Sequence, residues 1–567
     1  MRKILPLLVI SILVLSVFGA SAISNPNNNI RNINVIDYFE LDTFVSEQIL
    51  WTNSNIGKTS PGWSTTEVVT KDSIIDSWFP SLFVDSIGTV HIVWNEPTNY
   101  GGSGLDDDIF YKSKPKGGSW TPTEVVSTES TKDSWLPSIT IDSNDTIHVT
   151  WEDWTDIEGS GNDWDIFYKS KPKGGSWTPT EVISIESTED TSVSSLAVDF
   201  KGTVHVTWID STNFNGAGSD VDIFYKCKPI GGSWTPAEVI SIESTENSWN
   251  PCLAVDSTGA VHVTWEDLTN IAGSGLDWDI FYRYKESSGN WSTIETVSTE
   301  STLDSWFSSL AVDSTGTIHV AWQDFTDFGG SGIDSDIFYK YKPFGESWIT
   351  SDIVSSESTS DSGKPSLALD STGTVHVAWE DVTDFGGSGN DCDIFYKSKQ
   401  SDGNWGTTEV VSTESTYISW FATLDIDTTK TVHVAWADAT DIEKLGNRIN
   451  DLDIFYKYKP GESGPHLEIH SISGGFGINA EIKNFGDTDA SVINWIINLD
   501  GRLIFYGKEN TGTIENLSAG ESEIIKSGLI LGIGKATITL SAECFEGSSD
   551  EKSTSGFLIL PLVVGVR

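Results

Sequence analysis

The sequence is poor in basic residues, in methionine and in cysteine. It contains 34 Lys and Arg against 82 Asp and Glu, a formal net charge of −48 over 567 residues. This excess of acids excludes a protein that binds DNA or RNA, because a phosphate backbone requires a basic surface. Four cysteines are too few for a disulfide framework in a chain of this length. Long helical periodicity is also missing, whereas 24 Trp and 51 Gly favour an all-β chain.

Long apolar runs are scarce. A basic start is followed by an apolar run over residues 4–18 and by Ala20-Ser21-Ala22, which is the order of a secretory signal peptide at residues 1–22. A retained membrane anchor is the alternative, although the run is short for a spanning helix. Residues 557–566 are apolar but too few to span, and they predict a buried final strand. We therefore expect a secreted or surface-held protein with no membrane span in the mature chain.

An internal repeat of 57 residues occupies most of the chain. Each copy carries a His, a Trp three residues after it and an Asp six residues before it. The His/Trp pairs are His91/Trp94, His148/Trp151, His205/Trp208, His262/Trp265, His319/Trp322, His376/Trp379 and His433/Trp436. The preceding acids are Asp85, Asp142, Asp199, Asp256, Asp313, Asp370 and Asp427. Seven copies in register indicate a repeat architecture.

Each copy predicts four short strands separated by turns. In the sixth copy they cover residues 366–369, 374–379, 393–397 and 409–411, with Gly-rich turns or loops between them. Four strands in a repeat of this size are typical of one blade of a β-propeller. Seven copies therefore predict seven blades.

The two ends of the repeat region predict how the ring closes. The seventh copy lacks its fourth strand after Lys459, and the matching piece, Trp63 with residues 67–69, precedes the first copy. This N-terminal strand should complete the last blade and remove the open edges. After residue 464 the period stops and alternating strands favour a β-sandwich. The predicted regions are a signal peptide at 1–22, an N-terminal segment at 23–45, a propeller at 46–463 and a sandwich at 464–567.

Parts of the repeat resemble a known family. Residues 368–379, Ala-Leu-Asp-Ser-Thr-Gly-Thr-Val-His-Val-Ala-Trp, followed by Asp-Ile-Phe-Tyr at 393–396, look like BNR or sialidase-like propeller repeats. Residues 113–120 are similar to a degenerate Asp-box, with Pro115 where the family has Asp. Residues 480–486 resemble CARDB or other Ig-like modules of exported prokaryotic proteins. The resemblance implies the propeller derived above, followed by an Ig-like domain.

The resemblance does not extend to sialidase chemistry. Family members with that activity hold the substrate carboxylate with three arginines, whose planar fork matches it. The arginines after residue 22 are Arg31, Arg283, Arg448, Arg502 and Arg567. Two of them lie in the repeats, and Arg283 occupies the position of Lys112 and Lys340 in other blades. No arginine triad is predicted, which favours a protein that is not an enzyme.

One face of the propeller is expected to carry the candidate ligand site. The loops between strands two and three share this face, here called the loop face, with the segments that lead into each first strand. Five blades place a tryptophan there: Trp78, Trp135, Trp249, Trp306 and Trp420. Indole faces stack on sugars while carboxylates accept hydrogen bonds from hydroxyl groups. The pattern predicts binding of a glycan or a protein; the alternative is that these indoles wedge between blades as core.

The acidic loops are also candidates for Ca²⁺, which takes six to eight oxygen ligands. The candidate ligands are Asp153, Asp156, Asp163 and Asp165 in blade two, Asp324, Asp327, Asp334 and Asp336 in blade five, and Asp381, Asp384, Asp391 and Asp393 in blade six. Their spacing is not that of an EF-hand. The alternative is that these aspartates close the Gly loops by accepting backbone N–H groups.

The repeated histidines and the cysteines predict structural roles. Strand alternation places His376 between Val375 and Val377 inside the blade stack, so we expect an inter-blade hydrogen bond, not a catalyst. The cysteines occupy unlike positions in the repeats and complete no metal site. They are Cys227, Cys252, Cys392 and Cys544, predicted as isolated thiols with one exported disulfide as the alternative.

The repeat favours binding over catalysis. Near-identical blades supply the same groups seven times, whereas a reaction centre needs unlike groups that converge. Symmetry is broken mainly in blade seven, where residues 443–448 replace the Gly-Ser-Gly loop. We predict a secreted or surface-displayed, non-enzymatic propeller that binds glycans or a cell-surface protein. The alternatives are a glycosidase or polysaccharide lyase on a sialidase-like fold, and a structural component of the envelope.

Overall fold

The computed structural model describes residues 62–566 apart from 74, 272, 288, 401–402, 443–450, 462–464, 466, 485–487 and 546–548. Within these ranges the chain forms strands, turns and loops, and no helix is present. Accordingly, these ranges contain no helix with the length and apolarity to cross a membrane. The predicted signal peptide, the segment 23–45 and the insertion at 443–448 lie outside the described residues. The chain divides into two compact units, residues up to 428 with 432–459, and residues 429–431 with 460–567.

The first unit consists of seven four-stranded antiparallel sheets, each one blade. Strand β1 (Glu67–Val68) comes first in the described chain. Blades one to three are β2 (Trp78–Val84), β3 (Val90–Glu96), β4 (Asp108–Lys114), β5 (Glu124–Val125); β6 (Ser134–Ile141), β7 (Ile147–Asp153), β8 (Asp165–Lys171), β9 (Glu181–Val182); and β10 (Thr191–Val198), β11 (Val204–Asp210), β12 (Asp222–Lys228), β13 (Glu238–Val239).

The remaining blades repeat this plan. Blades four and five are β14 (Ser248–Val255), β15 (Val261–Asp267), β16 (Asp279–Lys285), β17 (Glu295–Thr296); and β18 (Ser305–Val312), β19 (Ile318–Asp324), β20 (Asp336–Lys342), β21 (Asp352–Ile353). Blade six is β22 (Ser362–Leu369), β23 (Val375–Asp381), β24 (Asp393–Lys399) and β25 (Glu409–Val410). Blade seven contains β26 (Ser419–Ile426), β27 (Val432–Asp438) and β28 (Asp453–Lys459).

The ring closes through its N-terminal strand. Strand β1 pairs antiparallel with β28, with Glu67 opposite Tyr456 and Val68 opposite Phe455, and becomes the fourth strand of blade seven. The predicted seven-bladed propeller and its mode of closure are therefore confirmed. Closure in this way gives the last blade its full set of four strands.

The core of the first unit lies between blades. Every residue of each second strand is buried, and the repeated Trp of that strand is at most 1% exposed in all seven blades. One apolar cluster joins Ile280 and Tyr282 of blade four to Leu310 and Trp322 of blade five. Because each blade packs both faces against neighbours, its strands need apolar side chains on both sides.

The first strands of neighbouring blades lie next to one another around the axis. Their edges are linked by hydroxyl groups: Ser309 accepts a hydrogen bond from the backbone N–H of Leu367 at 3.0 Å, and Ser366 accepts one from Leu424 at 3.0 Å. At the junction of blades seven and one, Asp425 Oδ2 accepts the Val84 N–H at 2.7 Å. These bonds satisfy backbone donors that would otherwise face the axis unpaired.

The second unit is one curled sheet. Its strands are β29 (Leu467–Asn484), β30 (Ala490–Gly501), β31 (Ile504–Tyr506), β32 (Glu509–Leu517), β33 (Ser522–Lys526), β34 (Leu531–Glu543), β35 (Ser549–Ile559) and β36 (Leu562–Val564). The order is β32-β30-β34-β35-β36-β29-β33, with β31 on β34, in a nearly closed barrel-like sheet. The all-β prediction is confirmed. The two halves expected of a sandwich are joined because the long β29 pairs with both β36 and β33.

Residues 557–566 form no single buried strand. They contain the end of β35 and the short β36, which pair with each other around Leu560 and Pro561. Leu558 is 2% exposed, but Phe557 is 41% and Ile559 is 52% exposed. The prediction of a buried strand was wrong. A continuous apolar run places apolar side chains on both faces of a strand, whereas this sheet buries only one of its faces.

Candidate functional site

Strand register places the predicted site residues at one end of each blade. In blade two, Ser134 and Trp135 of the first strand lie opposite Asp153 and Glu152 of the second, and Asp153 lies opposite Asp165 of the third. The loop between strands two and three therefore shares its end of the blade with the segment that leads into the first strand. The other blades repeat this register.

The aspartate that ends each second strand is a buried junction. Asp324 accepts hydrogen bonds from Trp322 Nε1 at 2.8 Å, Ser305 Oγ at 2.9 Å, the Thr326 N–H at 2.9 Å and Ser301 Oγ at 3.0 Å. The corresponding set surrounds Asp153 and Asp381. Burial raises the pKa of all three. Their oxygens are saturated by protein donors, so these candidates hold the blade together.

The aspartates within the loops have mixed surroundings. Asp156, Asp327 and Asp384 are exposed, and the latter two accept the backbone N–H of Gly332 and Gly389 at 3.4 Å. The half-buried set Asp163, Asp334 and Asp391 lies so close to a glycine of the same loop that an added Cβ would overlap the carboxylate. These glycines have φ of 127° to 131°, where a side chain is disfavoured. Asp327 and Asp384 thus accept N–H groups of their own loops, which is the role that the alternative to calcium predicts.

In blades one to six, the aspartate that begins the third strand has one buried oxygen without a hydrogen-bond partner among the residues that the structure describes. Oδ1 of Asp165, Asp336 and Asp393 accepts a seryl hydroxyl at 2.6 to 2.7 Å, while Oδ2 is buried and has no hydrogen-bond partner. Burial raises the pKa to about 7 for Asp165 and Asp393 and to about 6 for Asp336. No three His, Cys, Asp or Glu side chains of the described residues are grouped as a metal site. Calcium therefore stays a prediction, with these free oxygens as its remaining ligands.

The five candidate tryptophans divide between surface and core. Trp249 is 6% exposed and belongs to an apolar cluster between blades, whereas the other four are half-buried. Ring centroids lie 6.3 Å apart for Trp78 and Trp420, and 4.9 Å apart for Trp306 and Phe325. Trp135 lies 5.2 Å from Trp164, which also stacks on Trp154 at 6.0 Å. The indoles form separate aromatic groups on the loop face rather than a ring of equivalent platforms.

A feature that the sequence reasoning missed lies one residue after these tryptophans. Every first strand has an irregular register at this point. The residues there have φ between 47° and 57°, although none is a glycine: Phe79, Leu136, Val193, Asn250, Phe307, Lys364 and Phe421. Such a conformation costs a non-glycine residue about 1–2 kcal/mol, and seven copies mark a built bulge.

The residue type at the bulge position varies between blades although the surrounding sequence repeats. The residue type also varies at the facing position near the end of the second strand, which is Asn95, Glu152, Ile209, Glu266, Gln323, Glu380 and Ala437. We call these fourteen residues the mouth ring, because they lie where the first strands reach the loop face. The strand-two positions are buried and the bulge positions are half-buried, so contact with a ligand falls to the bulge residues and the strand-two residues can act by positioning them. Aligning the seven copies would have found them.

Contacts in the mouth ring cross from blade to blade. Lys364 Nζ lies 3.3 Å from Glu380 Oε2 and 4.4 Å from the ring centroid of Phe421, whose backbone N–H donates to Glu380 Oε1 at 2.6 Å. The rings of Phe79 and Phe421 lie 4.5 Å apart. With Trp78 and Trp420 they form an aromatic group beside an ion pair. Trp420 Nε1 is buried there without a hydrogen-bond acceptor.

Two glutamates of the mouth ring have no cation beside them. Glu266 accepts hydrogen bonds from Asn250 Nδ2 at 2.6 Å and from the Phe307 N–H at 2.8 Å. Glu152 accepts from the hydroxyl and the backbone of the next blade's first strand. Burial raises the pKa of both carboxyl groups to about 7. Each holds a proton for part of the time near neutral pH.

The histidines bond within their own blade. His91 Nδ1 shares a hydrogen bond of 2.8 Å with the Tyr111 hydroxyl on the adjacent strand, and Nε2 lies 3.5 Å from Asp85. The other six copies repeat the His–Tyr bond at 2.7 to 2.8 Å. Burial lowers the pKa of His205 to about 4. The structural role is confirmed, but the inter-blade partner was wrong, because register decides which strand the imidazole meets.

Arg283 and the cysteines take the predicted roles. Arg283 donates to the backbone oxygen of Ile240 and pairs with Glu243, as Lys340 does with Val297 and Glu300 in its blade. It is therefore an ordinary substitution. Arg448 lies outside the described residues. All four cysteines are free thiols.

Comparison with known proteins assigns no family. No family model matches the chain, and no curated protein matches it. Among solved structures, a protein of unknown function from Dyadobacter fermentans is 10% identical with a TM-score of 0.42, covering 70% of this chain and 99% of its own. A polysaccharide lyase has 10% identity and a TM-score of 0.42, with 72% and 94% covered. An α-L-arabinanase of Penicillium chrysogenum bound to arabinobiose has 12% identity and a TM-score of 0.36, with 56% and 92% covered.

Proposed function

We propose that the propeller is a non-enzymatic module that binds glycans at the mouth ring of its loop face. The observation that carries this is the aromatic group of Trp78, Phe79, Trp420 and Phe421 beside the Lys364–Glu380 pair. Sugars bind where aromatic faces meet a few placed polar groups.

The buried N–H of Trp420 supports the same proposal. An indole donor without an acceptor costs about 1–3 kcal/mol, which a ligand oxygen would recover. The aspartates that end the second strands are occupied by protein donors, which leaves them unavailable to a ligand. A site with one ion pair and one aromatic group suits a single ligand on the axis better than seven equal ligands.

The test is a glycan array probed with the full chain, with and without Ca²⁺. We expect binding that the double substitution Phe79→Ala and Phe421→Ala weakens at least tenfold. Phe344→Ala is the matched control, because Phe344 is 77% exposed in a turn on the opposite face. An array without signal in both conditions, or equal loss in the control, contradicts the proposal.

A glycosidase or polysaccharide lyase is the second candidate. Its support is that burial raises the pKa of Glu152 and Glu266 to about 7, the range of a general acid, while Glu380 at the matching position of another blade is ion-paired. Turnover of fluorogenic glycosides or uronic polymers that Glu266→Gln or Glu152→Gln abolishes would replace binding by catalysis. Turnover lost on changing residues 443–448 would place the reaction at the blade-seven insertion.

We further propose that the chain is exported and acts outside the cell or at its surface. The basic and apolar start of the sequence supports this. Fractionation with an antibody against the propeller tests it, and a protein that keeps residues 1–22 inside the cell contradicts it.

A further inference from the structure

The outer edge of the propeller carries a repeated three-residue contact, here called the seam clamp. A Lys at the end of strand three and a Trp after the next turn both bond a Glu on strand four of the preceding blade. In the clamp between blades three and four, Lys285 Nζ lies 2.6 Å from Glu238 Oε1, and Trp291 Nε1 donates to Oε2 at 2.9 Å. The clamp therefore uses both oxygens of one carboxylate to join two blades.

Six of the seven seams have this clamp. The indole donates to glutamate at 2.8 to 3.1 Å in Trp63/Glu409, Trp120/Glu67, Trp177/Glu124, Trp234/Glu181, Trp291/Glu238 and Trp348/Glu295. The seam between blades five and six has Asp352 in place of glutamate. Asp352 still pairs with Lys399, but Trp405 Nε1 is buried and has no acceptor among the residues that the structure describes. One missing methylene leaves the carboxylate bonded to the lysine and not to the indole.

A second departure from the repeat lies beside the shortened acid of this seam. In five blades a hydroxyl one residue after the clamp Trp accepts a backbone N–H of strand three: Thr121, Thr178, Thr235, Ser292 and Ser64. Blade six has Gly406 at this position, which has no side chain to accept a hydrogen bond. Blade five has Ile349, which also lacks the hydroxyl but keeps a side chain at this position. Only the seam between blades five and six combines the short acid with the missing side chain.

These two departures coincide with a cavity of about 290 Å³. Its lining includes Asp352, Glu357, Lys397, Lys399, Asn404 and Trp405. The two acids and two lysines balance in charge, and each lysine is paired with one of the acids. A balanced polar lining around an indole disfavours an ion and suits a neutral ligand with many hydroxyl groups. The volume is at the lower end for ligand pockets, about 300 Å³, which limits the ligand to a small one.

We infer that this cavity binds one neutral sugar residue. The indole donor left over at this seam defines one contact of the ligand, which would supply an oxygen to accept from Trp405 Nε1. The carboxylates of Asp352 and Glu357 accept hydroxyl hydrogen bonds, and Asn404 both donates and accepts. The site lies on the outer edge and uses none of the mouth-ring residues, so it is a second site, independent of the loop face.

The experiment titrates glucose, galactose, mannose and xylose against the full chain by saturation-transfer NMR. The background is Phe79→Ala with Phe421→Ala, which removes the proposed loop-face site. We expect a signal for at least one sugar, and at least a tenfold weaker affinity in Asp352→Glu with Gly406→Thr. Both substitutions copy residues that other seams already contain, so the variant is expected to fold; a melting curve checks this.

Glu295→Asp is the matched control, because it shortens the neighbouring clamp while Ile349 keeps a side chain after the clamp Trp. It should gain no sugar signal. The inference is overturned if no sugar binds up to 50 mM, which indicates that water alone occupies the cavity. It is equally overturned if the repaired variant binds as the parent does, or if acetate binds and no sugar does. Failure of the glycan array leaves this result untouched, since the background lacks the loop-face aromatics.

Discussion

The outer edge of the propeller and its mouth ring are made by the same seven copies, yet they differ in how strictly the copies agree. Six of seven seam clamps have the same Lys, Glu and Trp in the same contact. In the mouth ring, the position at the end of strand two holds five different residue types across the blades. Where two sheets must fit, the repeat is constant; where the chain faces the axis, it is free to vary. Departures from the repeat therefore mark the candidate sites.

The largest effect is expected at the constant junction of the loop face. Asp324→Ala leaves four buried or half-buried donors without their acceptor and should lower the free energy of unfolding by about 4 kcal/mol. Asp327→Ala, on an exposed residue of the same loop, should change it by less than about 0.5 kcal/mol. Guanidinium unfolding followed by tryptophan fluorescence measures both. Similar losses of stability in the two variants would contradict the distinction between aspartates that end the second strand and exposed aspartates of the loop.

The mouth ring should respond to the loss of its cation. Lys364→Met leaves Glu380 buried without its ion-pair partner, which should lower the free energy of unfolding by about 3 kcal/mol. Guanidinium unfolding curves of the parent and the variant measure this. A loss below about 0.5 kcal/mol would show that the pair contributes little to stability.

Calcium is expected to act at the free oxygens of the third-strand aspartates. At a calcium concentration one hundred times the dissociation constant, one occupied site would stabilise the chain by about 2.7 kcal/mol. Melting curves with calcium and with chelator measure the shift. No shift would leave the loop aspartates with their structural role only.

The buried acids predict that the propeller becomes more stable as pH falls from 8 to 7. The folded pKa of Asp165, Asp222, Asp393, Glu152 and Glu266 is about 7, above the value of an unfolded carboxyl group. In this window the native state binds protons that the unfolded state has released, so stability should rise on the order of 2 kcal/mol. Below about pH 6.5 the histidines with lowered pKa, such as His205, oppose the trend. A melting temperature that falls from pH 8 to 7 would contradict this.

The smallest effect on the free energy of unfolding is expected at the outer edge, where substitutions in two neighbouring seams should change it in opposite directions. Glu295→Asp removes the acceptor of Trp348 Nε1 and should destabilise by about 1 kcal/mol. Asp352→Glu offers an acceptor to Trp405 Nε1 and should stabilise by a similar amount. Thermal melting of the two variants compares them. Shifts of the same sign would mean that the clamp is not what holds these seams.

Much of the fold could be predicted from the sequence because it depends on the number and the spacing of repeated residues. A His–Trp spacing kept over seven copies fixes the number of blades, and the missing strand after Lys459 fixes how they close. Strand alternation likewise predicted that His376 lies inside the blade stack, and the repeated histidines are buried in every blade. Such features depend on position along the chain, which the sequence states directly.

The tertiary structure decided what depends on distances between side chains. It placed His91 on Tyr111 of its own blade, saturated Asp324 with four donors, and joined the second unit through β29 into one sheet. It also brought Lys364 into contact with Glu380 and Phe421 through a bulge. The bulge residues have positive φ but are of several types and none is a glycine, so residue type does not indicate it. At Asp352 one methylene separates a bonded indole from an orphaned one. The sequence determined where its copies differ, and packing between blades decided which of those differences leaves a buried donor without its usual acceptor.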